Sequence, residues 1–230
     1  MTPLPPSRRR SPPDMNPTRV KICGLSTPDT VKASVEAGAD YLGFNFYPRS
    51  PRYVTLEQAA SLGQLVPENV LKVSLTVDAD DATLDAIVAA LKPDILQLHG
   101  TETPERLVDL KSRYGLTLMR AIPISGPEDL EKIALYHDSA DLLLFDAKPP
   151  KSMPNALPGG NGLSFDWSLL AGQKPDTPWM LSGGLDPENV AEAIRVTGAE
   201  AVDVSSGVET APGVKDAALI EKFIKAAKAV

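Results

Sequence analysis

The chain contains one cysteine, Cys23, so it cannot close an internal disulfide. A chain without an oxidative scaffold suits a reducing compartment, and the cytoplasm is the expected location. It has only two histidines, with no spacing to cysteine or carboxylates that would suggest a zinc or iron centre. No apolar run approaches the roughly 18 residues of a membrane span, and no apolar core follows Arg8-Arg9-Arg10 as a secretory signal requires. Positive charge is also in deficit. A net charge of -7 argues against a nucleic-acid binder, which needs a basic face to displace counterions. A phosphorylated small molecule remains compatible, because backbone N–H groups at a helix start can hold one phosphate whatever the global charge.

The 230 residues, 43% apolar and 23% charged, suit one globular domain with a substantial core. Residues 1–18, rich in proline and arginine, read as a disordered tail. From Arg19 onward, short apolar or β-branched runs alternate with longer amphipathic ones. The expected strands are Arg19 to Cys23, Tyr41 to Phe44, Leu71 to Val77, Ile95 to Leu98, Thr117 to Ala121, Asp141 to Phe145, Trp179 to Leu181 and Ala201 to Val204. Helix starts repeat one device, a cap residue, a proline and an acid: Thr27-Pro28-Asp29, Thr103-Pro104-Glu105, Gly126-Pro127-Glu128 and Asp186-Pro187-Glu188. Gly38 and Gly198 sit where left-handed helix ends belong. Eight βα units predict an α/β fold of the closed parallel (β/α)8 class, a TIM barrel over residues 19–230; a doubly wound open sheet is the structural rival. No GxGxxG follows the first strand, which weakens a dinucleotide site.

Barrel chemistry sits at the C-terminal ends of strands and in the loops that follow them. "LSGGLDPENV" and "VDVSSGVE" close the last two strands, and loops there frequently hold phosphate. Glycines allow close backbone approach and serines add hydroxyl donors, so Gly183, Gly184, Ser205, Ser206 and Gly207 form an expected phosphate cradle. Alone, Gly183-Gly184 would read as a tight turn. The aperiodic stretch 147–164 ends in "PGGNG" and reads either as a flap supplying Gly160 and Gly162 N–H groups or as a surface loop. Taken singly, Cys23 is a small buried hydrophobe and Asp146 a loop cap.

The ordered set "KICGL", "GFNFYPRSPRYV", "QLHG", "LLLFDAK", "PGGNG", "LSGGLDPENV" and "VDVSSGVE" resembles the phosphoribosylanthranilate isomerase family of tryptophan biosynthesis across residues 19 to 230. The resemblance implies a (β/α)8 barrel that performs an Amadori rearrangement on a phosphoribosyl amine without metal or organic cofactor. It implies Cys23 as general base, Asp146 as general acid and Arg52 as the partner of the anthranilate carboxylate. The residue types suit those tasks. Opening a ribose ring needs a proton donor, and removing a carbon-bound proton needs a base. A guanidinium binds a carboxylate bidentately. A thiol with an ordinary pKa of about 8.5 is mostly protonated at neutral pH, and Lys21, two residues away on the same strand face, would favour its thiolate.

His99 and Asp203, also in family motifs at strand ends, are expected in the pocket, while Arg49 is expected to face solvent. Asn161, where the family commonly has a small hydroxyl residue, and Thr76, where it often has phenylalanine, depart from the pattern. The expected partner is a small phosphoribosyl substrate, with no nucleic acid and no membrane, in a monomer or homodimer. Two rivals are the aldose-ketose isomerase of the histidine pathway and a barrel that only binds phosphometabolites. The first carries an aspartate where this chain has Cys23.

Overall fold

A computed structural model describes residues 17–150, 152, 157–173 and 175–230. The expected tail lies outside these residues except for Pro17 and Thr18. Ten strands and seven α-helices follow one another among the described residues. In chain order they are β1 (Arg19–Cys23), α1 (Pro28–Glu36), β2 (Tyr41–Asn45), α2 (Leu56–Gly63), β3 (Leu71–Thr76), α3 (Asp81–Leu91), β4 (Ile95–Leu98) and α4 (Pro104–Tyr114). Then come β5 (Thr117–Ile124), α5 (Glu131–Leu135), β6 (Leu142–Ala147), β7 (Trp179–Leu181), α6 (Val190–Thr197), β8 (Ala201–Val204), the short β9 (Glu209–Ala211) and β10 (Val214–Lys215), and α7 (Ala217–Lys228). Strands β1 to β8 close into one parallel barrel in sequence order, and β9 and β10 form a separate antiparallel pair.

Strand alternation divides the core in two. One set of residues faces the helices: Val20, Ile22, Leu42, Phe44, Leu96, Leu143 and Phe145 pack there with Ile220 and Phe223 of α7. The other set fills the barrel: Tyr41, Val73, Ile95, Met119, Leu142, Leu144 and Met180. On several strands the same period of two carries the inward series upward to a residue that lines the cavity at the strand end. On β6 it runs Leu142, Leu144, Asp146; on β1 it runs Lys21, Cys23.

Three aspartates pin the base. Asp40, Asp94 and Asp141 each stand just before an even-numbered strand, and each carboxylate accepts the N–H of the second residue of the preceding strand, Val20, Lys72 and Leu118, at 2.8 Å. The backbone N–H of each aspartate returns a bond to the carbonyl of that same residue. Each latch holds an adjacent strand pair in register through local contacts.

The structure corrects several boundaries. Strand β5 runs on to Ile124, and β6 spans Leu142–Ala147, so Asp146 is part of the strand rather than the residue after it. Paired with β5 through Ile124↔Ala147, β6 gains rigidity where the site needs it. Thr27 and Thr103 cap α1 and α4 as expected, with Pro28 and Pro104 in the first turn. Gly126-Pro127-Glu128 instead opens a 3-10 turn, Pro127–Leu130, that leads into the five-residue α5. Asp186 does not cap α6. Its carboxylate accepts the N–H groups of Glu188 and Asn189, a local Asx turn, and the helix begins at Val190. Gly38 and Gly198 follow α1 and α6 with φ of +89° and +70°, as expected, Gly38 one residue beyond the cap Ala37. Between β6 and β7 the described residues contain a 3-10 turn, Trp167–Leu170, in place of the expected helix.

Candidate active site

The upper strand ends surround a cavity lined among others by Cys23, Arg52, His99, Asp146, Asp203 and Ser205. Strand alternation delivers Cys23 from β1, Asp146 from β6 and Asp203 from β8 to one space.

Cys23 is 4% exposed and pairs in register with Gly43 of β2. A β-carbon on residue 43 would stand 3.1 Å from the Cys23 Sγ and 3.3 Å from the Lys21 Nζ, so the glycine makes room for both side chains. Beneath the thiol, Lys21 is fully buried and donates to Asp203 Oδ1 at 2.8 Å, and Ser182 Oγ donates to Asp203 Oδ2 at 3.0 Å. Burial disfavours the Lys21 ammonium, but the charges of Asp203 and Cys23 more than offset it and hold its pKa above the ordinary value. For Cys23 the balance goes the other way. Burial pushes the thiol up, Lys21 and Lys215 pull it down, and burial together with Asp203 prevails. The expectation that Lys21 favours the thiolate is correct in sign, yet burial outweighs it. Lys21 also lies below the cavity instead of lining it.

Asp146 is 5% exposed. Its Oδ1 accepts the Ala147 N–H at 2.9 Å, and its Oδ2 lies 3.3 Å from His99 Nε2. His99 Nδ1 is in turn 3.2 Å from Gln97 Nε2, one inward step down β4. The flap residue Gly159 sits directly against the Asp146 and His99 side chains.

Arg52, between β2 and α2, is 4% exposed and lines the cavity. Its Nε and Nη2 donate to Glu209 at 2.7 and 2.8 Å, and Nη2 also donates to the Gly160 carbonyl at 3.1 Å. Arg49 is exposed, as expected.

The cradle residues come together in part. Gly160, Gly162, Gly183, Gly184, Ser205 and Ser206 line the cavity. Gly207 does not: a β-carbon there would collide with the Leu185 carbonyl oxygen, so its role is close packing of two loops. At Gly183 and Gly184, with φ of +87° and +66°, a β-carbon would meet Ala147 N at 2.6 Å and Leu163 O at 2.7 Å. Those glycines therefore let their loop pack closely against the end of β6 and against the flap. The Ser205 hydroxyl braces β1 by donating to the Cys23 carbonyl at 3.2 Å. Asn161 accepts the Leu157 N–H at 3.1 Å and donates to the Leu157 carbonyl at 2.7 Å, closing the end of the flap into a compact turn. The Thr76 hydroxyl is buried without a partner among the described residues.

Sequence reasoning missed Glu209 and Lys215. Lys215 Nζ bonds Glu209 Oε1 at 2.7 Å and the Ser205 carbonyl at 2.8 Å, and both side chains are almost wholly buried. Burial lowers the Lys215 pKa; burial opposes charge on Glu209 too, but Arg52 and Lys215 hold that carboxyl below its ordinary range. The only signal in the sequence was a pair of opposite charges flanking the Pro212-Gly213 turn.

A family model described as N-(5'phosphoribosyl)anthranilate (PRA) isomerase matches residues 20–226. A protein of Parvibaculum lavamentivorans named N-(5'-phosphoribosyl)anthranilate isomerase is 71% identical over 210 residues, covering 91% of this chain and 98% of that protein. Among solved structures, monomers generated from the dimeric phosphoribosylanthranilate isomerase of Thermotoga maritima superimpose with a TM-score of 0.80 at 36% identity, covering 93% of this chain and 100% of that one. A phosphoribosyl anthranilate isomerase in complex with reduced 1-(o-carboxyphenylamino)-1-deoxyribulose 5-phosphate gives a TM-score of 0.77 at 34% identity, with the same coverage.

Proposed function

The chain belongs to the N-(5'-phosphoribosyl)anthranilate isomerase family, and we propose that it performs the family's reaction with Cys23 as general base and Asp146 as general acid. The reaction is the aldose-ketose isomerisation of N-(5'-phosphoribosyl)anthranilate in tryptophan biosynthesis. What carries the assignment of roles is that a buried thiol on β1 and a buried carboxyl on β6 open into the same cavity.

The chemistry needs only proton transfers. Asp146 gives its proton to the ribose ring oxygen as the C1–O bond breaks, and the amine lone pair forms the C1=N bond of a Schiff base. Cys23, as thiolate, takes the proton from C2, and the C2–H electrons pass through C1 to nitrogen to leave an enolamine. That enolamine gains a proton at C1 and loses one from the C2 hydroxyl to become the ketone. Lys21 favours the thiolate, and Asp203 orients Lys21. His99 meets the Asp146 carboxyl and keeps it aimed into the cavity. Arg52 receives the anthranilate carboxylate, while the N–H groups around Gly160, Gly162, Gly183, Gly184 and Ser206 receive the phosphate, with Ser205 bracing that loop and Gly207 packing it.

The proposal includes a cytoplasmic location and a monomer or homodimer. A single cysteine suits a reducing compartment, and the Thermotoga maritima structure of monomers generated from a dimeric enzyme supports either oligomeric state. A fluorescence assay following substrate loss tests the roles. Cys23→Ser and Asp146→Asn should each lower kcat roughly 10²–10⁴-fold in folded protein. Either variant turning over at the wild-type rate removes that residue from the mechanism.

A further inference from the structure

Arg52 is held from outside the ring of barrel strands. Glu209, the first residue of β9, takes the Nε and Nη2 side of its guanidinium through bonds of 2.7 and 2.8 Å. The Glu209 carboxylate is saturated: Oε1 accepts from Arg52 Nε and Lys215 Nζ, and Oε2 from Arg52 Nη2 and the Gly213 N–H at 3.1 Å. A buried carboxylate with four donors has no lone pair poised to move a proton, so chemistry at the substrate is not its task. Orientation is. A guanidinium gripped along its Nε–Nη2 side cannot rotate, and its Nη1–Nη2 end is left directed toward the flap. There Nη2 meets only the Gly160 carbonyl, at 3.1 Å, and Nη1 makes no hydrogen bond among the described residues. A carboxylate arriving at that end would take Nη1 and replace Gly160 on Nη2, forming a second fork on the same arginine.

We propose that Glu209 is a positioning residue for the isomerisation: by fixing the plane of Arg52 it presents the Nη1–Nη2 end to the carboxylate at the aromatic end of the substrate. This rests on the reading of Arg52 given above. Lys215 completes the device by tying the Glu209 carboxylate to the Ser205 carbonyl.

Orientation and plain electrostatics make opposite predictions. Removing the Glu209 charge leaves two buried cations, which by charge alone would tighten an anionic substrate and lower KM. Loss of orientation raises it. The test is a double-mutant cycle on KM and kcat with Glu209→Gln, Arg52→Ala and the double variant, with the inhibition constant of inorganic phosphate as a reading of the other end. Glu209→Gln should raise KM about tenfold, keep kcat within about twofold, leave phosphate inhibition unchanged, and add nothing in the Arg52→Ala background. If Arg52→Ala leaves KM unchanged, the reading of Arg52 falls and this inference with it. If Arg52→Ala raises KM but Glu209→Gln lowers it or leaves it alone, or acts undiminished in the double variant, the inference alone is overturned. If Glu209→Gln does not fold, Glu209→Asp carries the same cycle, since its shorter arm keeps the charge but cannot span Arg52 and Lys215 together.

Discussion

Gly159 rests on Asp146 so closely that a β-carbon at that position would stand 2.5 Å from the carboxylate Oδ2, and 2.7 Å from His99 Cε1. The flap therefore reaches the proposed acid through a residue that has no side chain, and any side chain there would have to displace the carboxylate or the imidazole. Gly159→Ala should push the Asp146 carboxylate aside and lower kcat about 10²-fold, because a misplacement near 1 Å is enough for that loss. The contact is with the far ends of two side chains that can shift toward the cavity, so the melting temperature should change little. Turnover at the wild-type rate in Gly159→Ala would show that the flap does not set the position of Asp146.

The thiol supplies a pH signature. Burial holds the Cys23 pKa above the ordinary thiol value, and among the groups that pull it down Lys21 is foremost. As the proposed base Cys23 would act as thiolate, so kcat/KM should climb with pH on the alkaline side of neutrality. Lys21→Met should move that limb to higher pH, and a limb that stays in place would mean Lys21 has no influence on the thiol. The stability sign follows from the same shift. A folded-state pKa raised above the unfolded one gives a contribution present below the unfolded value and lost as pH rises through the folded one.

Gly207 is a packing residue, and its replacement should be read in melting curves. Its β-carbon would collide with the Leu185 carbonyl, a backbone atom that cannot step aside cheaply. Gly207→Ala should cost about 1–3 kcal/mol by overpacking. Gly115→Ala is the comparison, since φ there is +64° but nothing lies within 4 Å, so only backbone strain of about 1 kcal/mol remains. Equal losses of melting temperature in the two variants would count against the collision.

Much of this molecule is legible in its sequence because barrel strands are short apolar runs and because alternation fixes which residue of each run looks inward. Cys23, Asp146 and Asp203 could be placed at the rim because they stand at the ends of such runs within family motifs, and Lys21 beside Cys23 because alternation puts both on one face. Asp186 could not be read correctly, since Asp-Pro-Glu serves an Asx turn as readily as a helix start. Among the described residues after β6 no α-helix forms, and the stretch "SFDWSLLAGQ" makes only a 3-10 turn. Glu209 and Arg52 are 157 positions apart, and a charge pair formed only by closing the ring leaves no periodic trace.

Unequal joints give the barrel a seam. Strands β5 and β6 share six register pairs, from Met119↔Leu142 to Ile124↔Ala147, while β7 and β8 share one, Leu181↔Val202. The aspartate latches secure the β1–β2, β3–β4 and β5–β6 joints and leave β7–β8 without one. Amide hydrogen exchange should therefore be fastest, within the wall, along β7. That soft joint lies directly beneath Ser182, Gly183 and Ser205, so the proposed anion cradle stands on the stave of the cask best able to breathe.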